Sequence, residues 1–492
     1  MEKHVLSKST FMRGTQCLKS LYLYKHHPDQ QDKITPEQQA IFGRGIDVGL
    51  LAHKLFPGGV DVSSQFKFKY KEAVEETKKL IRKGVTVIYE AAFQYEGVLV
   101  LLDILVFRNG QWYAYEVKSS AYISPAYIMD ASLQYHVIVN SGIELEEFFI
   151  VNINTDYVRE GTLEIERLFA FTPVKKEMLK NVSFVENNIK KQQETITQKT
   201  IPDIKISEHC FTPYKCSFHG LCWKDAPASG SVFELGGISK AEQFKLFNTG
   251  YQLIKDIPTE LPLSKDVKLQ VDSLKSGSAI LDKEAIKKFT SSIKYPISFI
   301  DFETFMPAVP IFNHTKAYEH IPFQYSIHLK EHKYAQLKHY SFLADAGTDP
   351  RKEFIEKLVE QTSTPGDIVV FGASFERSVL NNLKKHFPSY ADQIDYILYR
   401  LKDLLFPFEN RLYYHYNMKG SNSLKQILPA LVPELSYNKL KINSGVRAMY
   451  AFDKLQRETD IMKISETREE LLEYCKLDTL AMVKIFEVLE NV

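Results

Sequence analysis

The stretch Leu99–Ser119, LVLLDILVFRNGQWYAYEVKS, reads as one β-hairpin turning on Asn109-Gly110. A type I′ turn needs φ > 0 at both central residues, which Asn and Gly accept more readily than other residues. The two-residue loop sets the register: Arg108 opposite Gln111, Phe107 opposite Trp112, and so outward until Asp103 faces Glu116. Facing Cβ atoms lie roughly 4.5–5.5 Å apart, where like charges repel. Lys118, two residues beyond Glu116, shares its face of the sheet. A divalent cation held by Asp103 and Glu116, with Lys118 beside the reacting water or phosphate, answers that repulsion and predicts a metal-dependent phosphodiester-cleaving site. Leu99, Leu101 and Leu105 lie on Asp103's side of the strand, so burial of the acid is expected.

Asp103 followed by Glu116-Val117-Lys118 resembles the D…(D/E)xK signature of the PD-(D/E)XK nucleases. Gly49-Leu50-Leu51-Ala52-His53 is similar to the GxxxH helix of their RecB-like branch, which implies that His53 helps to hold the metal. Gln134, in ASLQYHVIV, stands where that branch carries a QxxxY helix, and the resemblance implies a substrate-binding role for it. Here the fifth position is Ile138, and Tyr135 follows Gln134 directly.

At 492 residues the chain has room for two or three domains, and 44% hydrophobic and 25% charged residues are those of an ordinary globular protein. A net charge of +1 provides no global basic field, so nucleic-acid binding has to come from local patches. The N-terminus lacks an apolar h-region, and no apolar run approaches the roughly 18 residues of a membrane span, so a cytoplasmic chain with no membrane partner is expected.

Three of the five cysteines, Cys210, Cys216 and Cys222, recur every six residues in a Pro- and Gly-containing loop, and Cys17 lies far upstream. Clustered loop cysteines in a reducing compartment point to metal ligation, and the C-x5-C-x5-C spacing favours iron–sulfur over the closer pairs usual for zinc, which remains the alternative. Some RecB-like nucleases hold a [4Fe-4S] cluster with one Cys before the core and three after it, so the resemblance implies such a cluster on Cys17, Cys210, Cys216 and Cys222. Cys475 sits in an apolar helical pattern and reads as core.

Residues 1–225 form the first expected domain. The break at DAPASGS opens a helical connector, 226–292, and 293–492 forms the last domain. Phe66–Lys71 alternates aromatic residues with Lys and reads as an edge strand or a platform for stacked bases, the edge strand being favoured. Val174–Gln193 reads as one long polar helix.

Pro296–Phe302 reads as a buried strand that delivers Asp301 and Glu303 to one face. On the C-terminal helix, Tyr474 and Asp478 lie one turn apart. The combination resembles the DEDDy exonucleases of the RNase H-like fold, whose third motif is Y-x3-D. The middle motif then falls on Val369–Glu376, with Glu376 where that family has Asp. The resemblance implies two metal ions, Mg2+ or Mn2+, on Asp301, Glu303, Glu376 and Asp478, a Tyr474 that orients the water, and 3′-to-5′ polarity. Asp403 reads either as an auxiliary acid or as a loop cap. Ser421 to Lys425 opens a helix whose N–H groups are available to a backbone phosphate, making Ser421 and Lys425 candidate substrate contacts.

The chain as a whole is similar to a bacterial family in which a RecB-like domain with the cysteine triplet precedes a domain of unknown function carrying D-F-E-T, I-P-F-Q-Y-S-x-H, L-P-A-L-V-P and Y-C-x-x-D-T-x-A-M-V. These stand at Asp301–Thr304, Ile321–His328, Leu428–Pro433 and Tyr474–Val483. The expectation is an α/β chain: a PD-(D/E)XK restriction-endonuclease-like domain, a helical connector and an RNase H-like exonuclease domain. Together they imply a bifunctional metal-dependent nuclease acting on single strands or ends of DNA, in repair, end processing or defence. The alternatives are an RNA 3′-to-5′ exonuclease and a nucleic-acid-binding scaffold with an inactive C-terminal half.

Overall fold

The computed structural model describes residues 5–63 and 69–492, a mixed α/β chain in two compact units. The first comprises Met1–Asp225 with Pro307–Tyr318, and the second Ala226–Met306 with Glu319–Val492. Residues 226–292, expected as a connector, thus belong to the second unit. There Val232, Leu235, Ile254, Ile257, Val267 and Val271 bury a small core of their own. Pro307–Tyr318, expected inside the last domain, folds with the first unit, where Arg159 donates to the Pro310 and Ile311 carbonyls. Phe66–Phe68 of the aromatic–lysine alternation lie outside the described residues, and Tyr70 and Lys71 open a helix, Tyr70–Arg82, rather than continue a strand.

The sheet of the first unit contains β1 (Leu6–Ser7), β2 (Val60–Asp61), β3 (Val87–Tyr95), β4 (Val98–Arg108), β5 (Gln111–Lys118), β6 (Leu145–Ile153) and β7 (Phe169–Pro173), in the order β2-β3-β4-β5-β6-β7. The β4–β5 turn has Asn109 and Gly110 at φ 52° and 80°, as the Asn-Gly pair dictates. The register runs from Arg108↔Gln111 to Ile104↔Tyr115, as the two-residue loop requires. There the ladder stops, and β1 takes up the first residues of β4 in parallel, Leu6↔Val98 and Ser7↔Leu99. The helix Pro125–Asn140, capped by Ser124 and carrying Pro at its first position, returns the chain so that β6 runs parallel to β5. Leu99, Leu102 and Leu105 belong to one buried cluster with Ala131, Leu133 and Val137, while Ile104, Val106 and Tyr115 belong to a second. Each such side chain contributes roughly 1.5–3 kcal/mol of burial. The expected long helix 174–193 is two, Lys175–Leu179 and Val182–Thr197, broken at Asn181, whose amide donates to Ser132 Oγ.

In the second unit, β8 (Ile280–Leu281) pairs with β14 (Tyr413–Tyr414). The main sheet consists of β9 (Ile297–Phe305), β10 (Ile321–Lys330), β11 (Lys338–Leu343), β12 (Ile368–Val370) and β13 (Leu401–Asp403), in the order β11-β10-β9-β12-β13. The first three form an antiparallel meander, and β12 and β13 continue it in parallel. All ten residues of β10 are buried, four of them polar. The helix Ile461–Glu490 engages all four: Gln324 donates to the Leu471 carbonyl while its Oε1 stays unpartnered, Ser326 and His328 both bond the Thr479 hydroxyl, and Lys330 pairs with Glu487. That docking sets the last helix against the strand that carries Asp301.

Gly366, before β12, has φ +119°, and a Cβ there would lie 2.0 Å from the Pro296 carbonyl oxygen. Gly366→Ala is expected to cost about 3 kcal/mol in urea denaturation, against about 1 kcal/mol for Gly277→Ala, a left-handed glycine with open space around it. Equal losses would show that the close approach at Gly366 does not constrain the sheet.

Candidate functional site

One pair beyond the last ladder pair of the hairpin stand Asp103 and Glu116. Freed from the ladder, Asp103 Oδ2 accepts the N–H of Val117 at 2.6 Å. Glu116, 1% exposed, accepts two ammoniums on one oxygen, Lys8 at 2.6 Å and Lys118 at 2.7 Å, and its Oε2 has no hydrogen-bond partner. Lys118 also donates to Asp130 Oδ2 at 2.6 Å, and Lys8 lies 3.8 Å from the same oxygen. Burial alone would raise the Glu116 carboxyl, but the two lysines outweigh it and hold it well below the usual range. Burial and the Glu116 charge push Asp103 up. Burial pulls Lys118 down, and Asp130 and Glu116 more than reverse this.

A further acid, Glu90 of β3, falls opposite Asp103 by the β3–β4 register and interacts with Lys8, Glu116 and Asp61. Burial pushes it up to about 7. His53 follows the helix Pro36–Ala52, stacks on the Tyr89 ring at 3.9 Å and feels the charge of Asp61, while burial lowers its pKa. The same Asp61 charge acts on Glu90. Gln134 is fully enclosed one helical turn from Asp130, and neither polar atom of its amide has a partner. Its expected role as a direct substrate contact does not agree with that burial. Lys8, Glu90 and Asp130 were not foreseen. Asp130 shares a helix face with Gln134 and Glu90 interrupts an apolar strand, so both left a local trace, whereas Lys8 arrives through β1 and left none.

Cys17, Cys210, Cys216 and Cys222 line one pocket, together with Lys19, Ser20 and Trp223. All four are free thiols. Cys17 is the N-cap residue of Leu18–His26. Burial raises its thiol, and the N–H groups of Ser20 and Lys19 draw it back down. No three of the sulfurs lie within 4.8 Å of one another among the described residues.

In the second unit the sheet and the last helix bring Asp301, Glu303 and Asp478 together, with one oxygen from each within 4.8 Å of the others. Glu376, in the first turn of Ser374–His386, is 2% exposed, and its Oε2 is unpartnered. Its charge acts on both Asp301 and Glu303. Burial first, then mutual repulsion, drives Asp301 and Glu303 far above the ordinary range, and burial pushes Glu376 up to about 8. Tyr437, absent from every motif, donates to Asp478 Oδ1 at 2.6 Å. Lys425 donates to the Tyr474 hydroxyl at 3.2 Å and lies over the Tyr437 and Tyr474 rings, its pKa lowered by burial despite the acids around it. Ser421 bonds Ser423 within the turn that leads to Lys425. Asp403 is the cap of the two earlier readings: it accepts the N–H groups of Gly372, Ala373 and Leu405. Cys475 is core, with its sulfur 3.8 Å from Asp301.

Residues 298–423 match the family model described as "Domain of unknown function (DUF2779)". The match begins in β9, includes Asp301, Glu303 and Glu376, and ends before Lys425, Tyr474 and Asp478. No curated protein matches the chain.

The raised carboxyls bind protons more tightly in the folded state, so without metal the second unit loses stability as pH rises from the ordinary carboxylate range through about 8. Asp301→Asn removes one repelling charge. It is expected to raise the melting temperature in chelator-treated buffer, and to do so more at pH 8 than at pH 5.5. An equal shift at both pH values, or a loss at pH 8, would show that these acids do not share a repulsive pocket.

Proposed function

We propose that the chain is a metal-dependent nuclease with one phosphodiester-cleaving site in each unit, acting on single strands or ends of DNA. The observation that carries this reading is the convergence of half-buried Asp301 with buried Glu303 and Asp478 within 4.8 Å, with Glu376 beside them. Buried acids in such proximity call for cations, and carboxylate oxygens are the donors that Mg2+ and Mn2+ take. The unpartnered Oε2 atoms of Glu116 and Glu376 fit the same hard ions. The β11-β10-β9-β12-β13 order supports the RNase H-like reading of the second unit. The hairpin, crossover helix and parallel strand of the first unit support the PD-(D/E)XK reading.

Bound cations supply charge neutralisation and Lewis acidity to the phosphodiester. The protein groups do the rest. In the second unit the Tyr474 hydroxyl, fixed by Lys425, orients a water toward the terminal linkage, and Tyr437 holds Asp478 in position. In the first unit Lys118, anchored between Glu116 and Asp130, presents an ammonium to charge developing on the phosphate. The cysteine cavity supports a [4Fe-4S] cluster as a structural clasp. What supports it is that the four cysteines, far apart in sequence, line one pocket, and that amide N–H groups face Cys17.

Labelled single-stranded DNA and RNA, incubated with the full chain in Mg2+, Mn2+ or EDTA, test the reading. Cleavage is expected only with metal. Asp301→Asn should abolish degradation from the 3′ end, and Lys118→Ala should lower the remaining cleavage roughly 10²–10³-fold with the fold intact. Undiminished cleavage by the double variant would refute both sites, and preference for RNA would shift the substrate to that polymer. Anaerobically purified protein should be brown, with absorption near roughly 400 nm. Colourless protein containing zinc would replace the cluster with that metal.

A further inference from the structure

Seven non-glycine residues have positive φ among the described residues, and six of them lie in turns. The seventh is Glu90, at φ 53° inside β3, while the ladder on either side of it stays in register, Tyr89↔Ile104 and Ala91↔Leu102. A charged L-residue held left-handed in mid-strand costs stability, and such outliers persist where the surroundings require a particular side-chain direction. The groups around Glu90 are those of the acid site: Lys8, Glu116 and Asp61 act on its charge, and its charge acts on Asp103. One member of that cluster, Glu116, is 1% exposed with Oε2 lacking any hydrogen-bond partner, a buried oxygen that a cation would satisfy.

We propose that Glu90 is a third carboxylate ligand of the divalent cation held by Asp103 and Glu116, and that the left-handed backbone at position 90 is what turns its side chain toward that ion. The proposal rests on the metal-dependent reading of the first unit. It adds to the sequence signature a ligand that lies outside the hairpin. The ligand set then has three carboxylates, with Lys8 and Lys118 holding the non-coordinating side of Glu116. A hard, oxygen-preferring ion of the Mg2+ and Mn2+ class is the expected occupant.

The test is Mn2+ binding to the full chain carrying Asp301→Asn and Asp478→Asn, which removes the acid pocket of the second unit. Binding is followed by electron paramagnetic resonance and by the Mn2+-induced rise in melting temperature, with no nucleic acid present. Glu90→Gln, close in size and uncharged, is expected to weaken Mn2+ binding tenfold or more while melting no lower than its parent in chelator. Glu90→Asp should recover part of the affinity. Mn2+ binding by Glu90→Gln equal to that of the parent would overturn the assignment while leaving the site of Asp103 and Glu116 standing. A melting temperature lowered in chelator with unchanged Mn2+ affinity would make Glu90 structural only. If the parent itself binds no Mn2+, the metal-dependent reading of this unit fails, and the role of Glu90 fails with it.

Discussion

Carboxylates buried side by side cannot all keep their charge, and both units are organised around that constraint. At a few ångströms and low effective dielectric, repulsion between acids is worth several kcal/mol, comparable to the net stability of a domain. Each unit resolves it differently. The first inserts two lysines, so that Glu116 stays ionised between Lys8 and Lys118 and the neighbouring Asp103 is driven toward its neutral form. The second has one lysine, Lys425, itself weakened by burial, so its acids hold protons instead. A site neutralised by protons exchanges them for a cation with little rearrangement, whereas one braced by lysines keeps its geometry whether or not an ion is bound.

The same constraint accounts for the shape of the surrounding scaffold. A long helix carrying Asp478 must be held against a strand carrying Asp301 although their charges repel. Gln324, Ser326 and His328, three polar residues of the Ile321–His328 motif, hold it there with hydrogen bonds to Leu471 and Thr479. Burial, with the charges of His339 and Lys476, lowers His328 to about 4, so it meets the Thr479 hydroxyl as a neutral ring at physiological pH.

What was legible in the sequence is what local geometry determines. Asn109-Gly110 admits one turn and therefore one register, which leads directly to Asp103 and Glu116. The D-x-E alternation of β9 and the one-turn spacing of Tyr474 and Asp478 were equally local. Lys8, Tyr437 and the enclosure of Gln134 depend on pairings across tens to hundreds of residues, and nothing in the immediate neighbourhood of those residues announces them. Asp403 had two readings of equal standing, and only the three amide groups that converge on its carboxylate distinguish them. That residues 226–292, expected as a helical connector, cluster with the second unit was hidden for a related reason. Their short apolar runs form a core only when brought together, and the backbones of Gly236 and Gly420 approach too closely for any side chain between them.

The discontinuity of the first unit bears on how the chain folds as it is made. Gln16 donates to the carbonyls of His209 and Tyr214, Arg13 to Ser217, and Asp32 accepts the N–H of Gly220, so the opening helices close only on residues some 200 positions later. The last piece, Pro307–Tyr318, follows after β9 of the other unit has already been synthesised. Contacts so distant in sequence carry a large loop-closure cost that local helix and hairpin contacts do not. During translation its hairpin and crossover helix can assemble early, yet the unit is complete only once Tyr318 has been made, and until then the apolar cluster that Ala308 and Ala317 join lacks those partners.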